Sequence, residues 1–431
     1  MSSVSLSAST GSAAAPSERG GRSGAVHPLG GRGRSPGGPG LPVAARASPV
    51  VRGVDGDVSA AVGRVLDEWL AGRVARAGAV DGTFAADLAH RVADFTGRGG
   101  KRVRARLLWW TVRACGGPDV PVGAALATGA ALELLQTCAL VQDDVMDGSA
   151  TRRGRRALHV DVAAQYAPGV GERGAADLGA AAGVLAGDLA LVWADDLAAA
   201  ARSELREPQR QQVREVWSDL RMEMVAGQYL DVHGQVTGSR SPARAIRVAE
   251  LKSAMYSVER PVHLGAVLAG ARPEQVEALR RAGRCAGVAF QFKDDLDGVF
   301  GDPARTGKPC GDDVRAGKPT YLFAVARARA VARRDRASSE VLGRYLGDPE
   351  LDEAALDRVR EALVATGARA AVQSRIERLS ARSTEYLERA RPLAPGAERL
   401  AALLRATAGL PPVGAGGAGG AGGAGGAGGA Q

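Results

Sequence analysis

The stretch "VGAALATGAALELLQTCALVQDDVMD", Val122–Asp147, is apolar almost all the way round and ends in three aspartates within five residues. A surface helix keeps its apolar residues to one stripe, so this all-round pattern marks a helix buried inside a bundle. Gln136, Leu140, Asp143, Asp144 and Asp147 fall at i, i+4, i+7, i+8 and i+11 and share one stripe of it. Three carboxylates there repel one another, and they stand at the carboxyl end of the helix, where the macrodipole disfavours negative charge. A hard cation such as Mg²⁺, which takes carboxylate oxygens and is shared with phosphates, relieves both penalties. The competing explanation is a solvated acidic face neutralised by Arg152 and Arg153 just downstream. The buried character of the helix weighs against it.

The surrounding chain has the composition of a helical protein. Alanine, leucine, arginine and glutamate dominate the middle, aromatics are 4% of 431 residues, and few windows alternate as strands do. Residues 57–412 run from "VGRVLDEWLAGRVARA" to "GAERLAALLRATAGL" in successive helical patterns with short Gly/Pro breaks and no solenoid period. One all-α domain is expected there, a multi-helix bundle around a central cavity. Residues 1–56, rich in Ser, Gly, Pro, Ala and Arg, are expected to form a disordered arm. An organelle transit peptide or a docking arm for an unknown protein partner are alternatives for it. Residues 413–431 form a Gly/Ala-rich tail expected to be flexible.

The net charge of +9 would ordinarily raise nucleic acid as a partner. Part of that excess lies in the arm, no base-stacking aromatic motif is present, and a phosphate-rich substrate would equally favour a basic protein, so no nucleic acid is expected. Cys115, Cys138, Cys285 and Cys310 match no metal-ligand spacing, which fits free thiols in a reducing cytoplasm. No run of about 18 or more purely apolar residues occurs, so no transmembrane helix is expected.

A second acidic cluster follows ~150 residues after the first, in "GVAFQFKDDLDGVFGDP". Gly287, Gln291, Asp294 and Gly298 share a helical stripe, again with carboxylates towards the end of an apolar segment. Two such clusters facing each other from separate helices of one bundle are expected to form a multi-metal cage. Basic, glycine-rich loops accompany them: "GRGGKRVRARL" with Lys101, Arg102 and Arg104, and "TGKPCGDDVRAGKPT" with Lys308 and Lys318. Each alone reads as a solvated turn. With Arg152 and Arg153 they fit two diphosphate groups, one held through Mg²⁺ and one directly by lysine and arginine.

Six motifs, "GGKRVR", "ELLQTCALVQDDVMDGSATRRG", "GQYLDV", "KSAMYSVERPVHLGA", "FQFKDDLDGVFGDP" and "TGKPCGDDVRAGKPT", occur in an order that resembles the trans-isoprenyl diphosphate synthase (polyprenyl synthetase) family, near its geranylgeranyl and farnesyl diphosphate synthases. The resemblance spans about residues 60 to 400. It implies the isoprenoid synthase fold, usually a homodimer, and Mg²⁺-dependent condensation of isopentenyl diphosphate with an allylic diphosphate. Asp143, Asp144, Asp147, Asp294 and Asp295 would bind the metal, three ions per site. Arg152 would contact the allylic diphosphate, and Lys101, Arg104, Gln136 and Arg153 isopentenyl diphosphate. Lys252, Lys308 and Lys318 would surround the leaving group, Ser253 and Gln291 would stand near the carbocation, and Asp231 with Gln228 would orient Lys or metal-bound water.

Three positions depart from the family's pattern: Gly298 replaces a final aspartate for which Asp297 is the nearest substitute, Gln136 replaces His, and Ser253 replaces Thr. Chain length follows from helix geometry. If the metal sits at Asp143 and Asp147, the hydrocarbon runs back along the helix past Cys138 and Ala139, one turn earlier. Both are small, which favours a product longer than farnesyl, with geranylgeranyl diphosphate the best single choice; close helix packing is the bland explanation of their size. A class I terpene cyclase and a noncatalytic regulatory subunit are the alternative functions.

Overall fold

The computed structural model describes residues 48–116, 120–302 and 310–410. The arm up to residue 47, the tail from 413 and Lys308 lie outside these residues. Helix α1, Pro49–Gly56, opens the described chain, with Ser48 Oγ accepting from the Val51 N–H as its cap. This corrects the sequence-derived boundary, which gave residues up to 56 to the arm. Val51 and Val54, three apart, bury against the body, and Asp55 Oδ1 accepts from Trp109 Nε1 at 2.9 Å and Arg113 Nε at 3.1 Å. The tertiary partners of an eight-residue helix are invisible in its own periodicity.

The bundle continues through α2 (Val58–Val80), α3 (His90–Gly97), α4 (Val103–Cys115) and α5 (Val122–Met146). A two-stranded hairpin, Thr151–Arg152 with Arg155–Arg156, joins α5 to α6 (Leu158–Ser203), and α7 (Gln209–Val236) and α8 (Pro242–Val248) follow. α6 is broken at Gly171, where φ is 76°, and folds back on itself: a Cβ at Gly179 would stand 2.3 Å from the carbonyl oxygen of His159. An eleven-residue π-helical segment, Ala249–Glu259, leads into α9 (Arg260–Leu268) and α10 (Pro273–Phe300). A four-residue helical turn, Asp312–Arg315, and five longer helices complete the described chain, α11 (Tyr321–Arg333), α12 (Arg336–Tyr345), α13 (Glu353–Ala365), α14 (Ala368–Arg389) and α15 (Gly396–Thr407).

The apolar residues gather into two cores, and α10 runs through both. Leu279, Ala282 and Ala286 enter the larger core with α1 to α7, while Val288, Phe292 and Leu296 enter the smaller one with α11 to α14. The second acidic cluster rides on that latter half, flanked by Phe292 and Leu296 of the smaller core. The π segment is pressed between α7 and α10 by two glycines: a Cβ at Gly227 would fall 2.4 Å from the Lys252 nitrogen, and one at Gly287 2.6 Å from the Ala254 Cα. π-helical insertions concentrate at functional sites.

Among the described residues two helices are long and apolar enough to cross a membrane, Val122–Met146 and Leu158–Ser203. In the first, 72% of the most apolar window is buried inside the bundle, as a core helix requires. The second is 39% buried over its window and exposes Leu185 and Val192, beside Met222, Val225 and Tyr229 exposed on α7.

Gly227→Ala is expected to destabilise the protein by about 1–3 kcal/mol, because the added methyl meets backbone that cannot rotate away. Urea denaturation measures it, and an unchanged midpoint would show that the π segment yields freely.

Candidate active site

The carboxyl end of α5 carries Asp143 and Asp147 towards basic residues from far along the chain. Asp143 Oδ1 accepts from Gln228 Nε2 at 2.8 Å and from Lys252 Nζ at 3.0 Å. Burial alone would raise its pKa, but the charge and hydrogen bond of Lys252, with the bond from Gln228, outweigh burial and hold it below the usual value. Lys252 also donates to Asp231 Oδ2 at 2.6 Å. Burial works against its charge, yet the two carboxylates win and keep it firmly protonated. Asp147 Oδ2 accepts from Lys318 Nζ at 2.9 Å. Lys318 is also raised against burial, chiefly by Asp147 and Asp313.

Asp144 takes a different course. It is fully buried, and Arg152 Nε donates to its Oδ1 at 2.7 Å while Arg152 Nη2 reaches Asp143 Oδ2 at 3.5 Å, so one arginine answers both neighbouring acids. Burial raises its pKa in spite of Arg152. The hairpin makes this contact possible: Arg153 and Gly154 form its tight turn with φ of 53° and 74°, which returns Arg152 to α5 and sends Arg153 the other way. Arg153 Nη1 donates to the Gly99 carbonyl at 2.6 Å and does not reach the aspartates.

On the facing side, the Ser253 hydroxyl donates to Gln291 Oε1, and Gln291 Nε2 donates to Asp295 Oδ1 at 2.8 Å. Asp295 is 6% exposed, and burial, with Asp313 and Asp294 adding like charge, lifts its carboxyl well above the ordinary range. Asp144 and Asp295 thus sit in the packing behind Asp143 and Asp294. Asp297 pairs with Lys293 four residues before it. The place left open at Gly298 is instead approached by Asp313, whose Oδ2 lies 3.0 Å from where a Cβ would stand, with Oδ1 4.0 Å from Lys318 Nζ. Sequence reasoning quoted the motif that contains Asp313 without singling it out; the acidic pair in "GDDVRAGK" was the available signal.

Lys101 is exposed on its loop. Arg104 Nη2 donates to Ser257 Oγ at 2.6 Å and its guanidinium lies 4.5 Å over the Tyr256 ring, while the Tyr256 hydroxyl donates to Gln136 Oε1 at 2.6 Å. Cys138 is 1% exposed within the larger core, its thiol raised to about 12 by burial, whereas Ala139 is only partly buried on the stripe of Asp143.

Among the described residues no group of three or more His, Cys, Asp or Glu side chains is gathered to hold an ion by itself. The donors at hand are hard carboxylate oxygens: Asp143, Asp147 and Asp313, the last two both approached by Lys318, and Asp294 on α10. That suits Mg²⁺, which takes one or two carboxylates and completes its shell with water and substrate phosphate.

Gly298→Asp is expected to destabilise the metal-free protein by about 1–2 kcal/mol, because the restored carboxylate meets Asp313, and Gly298→Asn to cost clearly less. Thermal denaturation in chelator measures both. Equal losses would make crowding, and not charge, the cause.

Comparison with known proteins places this geometry. A family model described as polyprenyl synthetase matches residues 86–362. A geranylfarnesyl diphosphate synthase of Aeropyrum pernix is 30% identical over 294 residues, covering 68% of this chain and 82% of the relative. A geranylgeranyl diphosphate synthase of Mycobacterium tuberculosis is 33% identical over 286 residues, 66% of this chain and 74% of the relative. Among solved structures, a geranylgeranyl pyrophosphate synthase of Corynebacterium glutamicum, complexed with isoprenyl diphosphate and magnesium, superposes with a TM-score of 0.73 at 32% identity, covering 80% of this chain and 98% of that one. With two thirds of the chain matched and the fold shared, this protein belongs to the polyprenyl synthetase family and is an all-α trans-prenyltransferase.

Proposed function

We propose that the enzyme condenses isopentenyl diphosphate with an allylic diphosphate, forming a carbon–carbon bond, losing a proton and releasing pyrophosphate. One observation carries this reading. Lys252 and Lys318, from the second half of the chain, clamp the two aspartates Asp143 and Asp147 that end α5, so acids and cations converge where a diphosphate can exchange partners with both.

Asp143 and Asp147 with Asp294 would hold the Mg²⁺ ions, three in our proposal; when bound they neutralise charge on the departing diphosphate. Lys252, Lys318 and Arg152 add fixed positive charge beside the same leaving group, in a setting already organised before reaction. The Ser253 proton is engaged by Gln291, so the free lone pairs of that hydroxyl are what it offers to a cation forming at the allylic carbon. Arg104, Arg153, Lys101 and Gln136 would hold isopentenyl diphosphate, and the released pyrophosphate would accept its proton.

Ala139, small and on the stripe of Asp143, supports geranylgeranyl diphosphate as product. The apolar residues exposed on α6 and α7 support a homodimer through those helices, and four free thiols support a reducing cytoplasm.

Purified protein incubated with Mg²⁺, isopentenyl diphosphate and dimethylallyl, geranyl or farnesyl diphosphate is expected to elongate a primer, read by product chain length. Failure with all three overturns the proposal. Lys252→Met should lower kcat about 10²- to 10³-fold, as losing a preorganised charge does. An undiminished kcat would remove Lys252 from the leaving-group site. Ala139→Phe should shorten the product, and an unaltered length would reject the cavity argument.

A further inference from the structure

Within the arginine station proposed for isopentenyl diphosphate stands a buried carboxylate that the mechanism has not used. Glu133, on α5, is 8% exposed, and its Oε2 lies 3.7 Å from Arg102 Nη1. Its Oε1 is buried without a hydrogen-bond partner, and so are Arg102 Nη1 and Arg104 Nε. Arg104, Arg102 and Arg153 all draw the Glu133 carboxylate towards its charged form, with the Ala105 N–H against it, although burial still raises its pKa.

Arg102 itself is 8% exposed, buried between its neighbours Lys101 and Arg104 in the chain. Its guanidinium lies under the glycine loop, with Nη2 donating to the Gly97 carbonyl at 3.3 Å and standing 3.1 Å from where a Cβ would sit on Gly99. The Gly99 carbonyl in turn accepts from Arg153. A continuous path therefore runs from Glu133 through Arg102 and the loop to Arg153. Both arginines have left-handed backbone, φ 43° and 53°, a conformation that costs a residue with a side chain and persists where surrounding contacts fix it.

We propose that Glu133 is a positioning residue for the isopentenyl diphosphate station: through Arg102 it fixes the glycine loop, and it keeps Arg102, Arg104 and Arg153 together against their mutual repulsion. One carboxylate among three guanidiniums leaves a net positive charge for the incoming anion. The unpartnered Arg104 Nε marks donor capacity that the resting protein does not use. A carboxylate for each arginine would close the site. None would let the arginines splay towards solvent. This inference rests on the prenyltransferase reading above.

The test is steady-state kinetics of the full chain with Mg²⁺, varying each substrate in turn. Glu133→Gln should raise KM for isopentenyl diphosphate about tenfold while KM for the allylic primer stays within about twofold, and Glu133→Asp should recover part of the loss. Combining Glu133→Gln with Arg102→Met should be no worse than the poorer single variant, because both break one path. A parallel rise of both KM values, a fall in kcat alone, or additive losses would overturn the positioning role. If Glu133→Gln does not fold, Arg102→Lys, which keeps the charge but loses the fork, carries the same expectation and the same refutation. Wild-type protein that elongates with a Glu133→Gln variant of unchanged KM refutes the positioning role alone. Wild-type protein that elongates nothing removes the prenyltransferase reading and this inference with it.

Discussion

Asp143 and Asp147 can end a buried helix because lysines reach them from 109 and 171 residues further along the chain. Without Lys252 and Lys318, two carboxylates would stand at the negative end of the α5 dipole with little water to solvate them. With them, the site is neutral enough to fold and still open to exchange. In the proposed reaction the lysines would meet the diphosphate and the carboxylates would hold Mg²⁺, so the same charges would serve stability at rest and chemistry when loaded.

The backbone is shaped to deliver those lysines. Lys252 lies on a π-helical segment, where the widened turn alters the register of side chains, and Gly227 and Gly287 let α7 and α10 press against it at distances no other residue allows. The same contact sets Ser253 against Gln291. Lys252 and Ser253, proposed to serve the leaving group and the reacting carbon, are thereby adjacent on one element. Asp144 and Asp295 sit behind this arrangement, their carboxyls raised by burial and hydrogen-bonded to Arg152 and Gln291.

Much of this was legible in advance. The all-round apolar character of Val122–Met146 marked a core helix, and two acidic clusters with basic loops suggested the diphosphate site proposed above, because composition and helical period are local properties of the chain. Helical period alone, however, puts Asp144 on one stripe with Asp143 and Asp147. Helical spacing places a residue on a face but does not say whether a neighbouring hairpin will cover it, and Arg152 covers Asp144.

The sequence by itself determined the helical fold class and which residue types could meet a diphosphate and Mg²⁺. Tertiary structure decided which of them do what: Asp313 stands over the gap at Gly298 while Asp297 pairs with Lys293, Cys138 enters the core while Ala139 keeps to the stripe of Asp143, and Glu133 lies among three arginines. The reason is one of range. Hydrophobic period and charge pattern act over a few turns, whereas the partner of a buried charge is chosen by whichever distant segment packs against it.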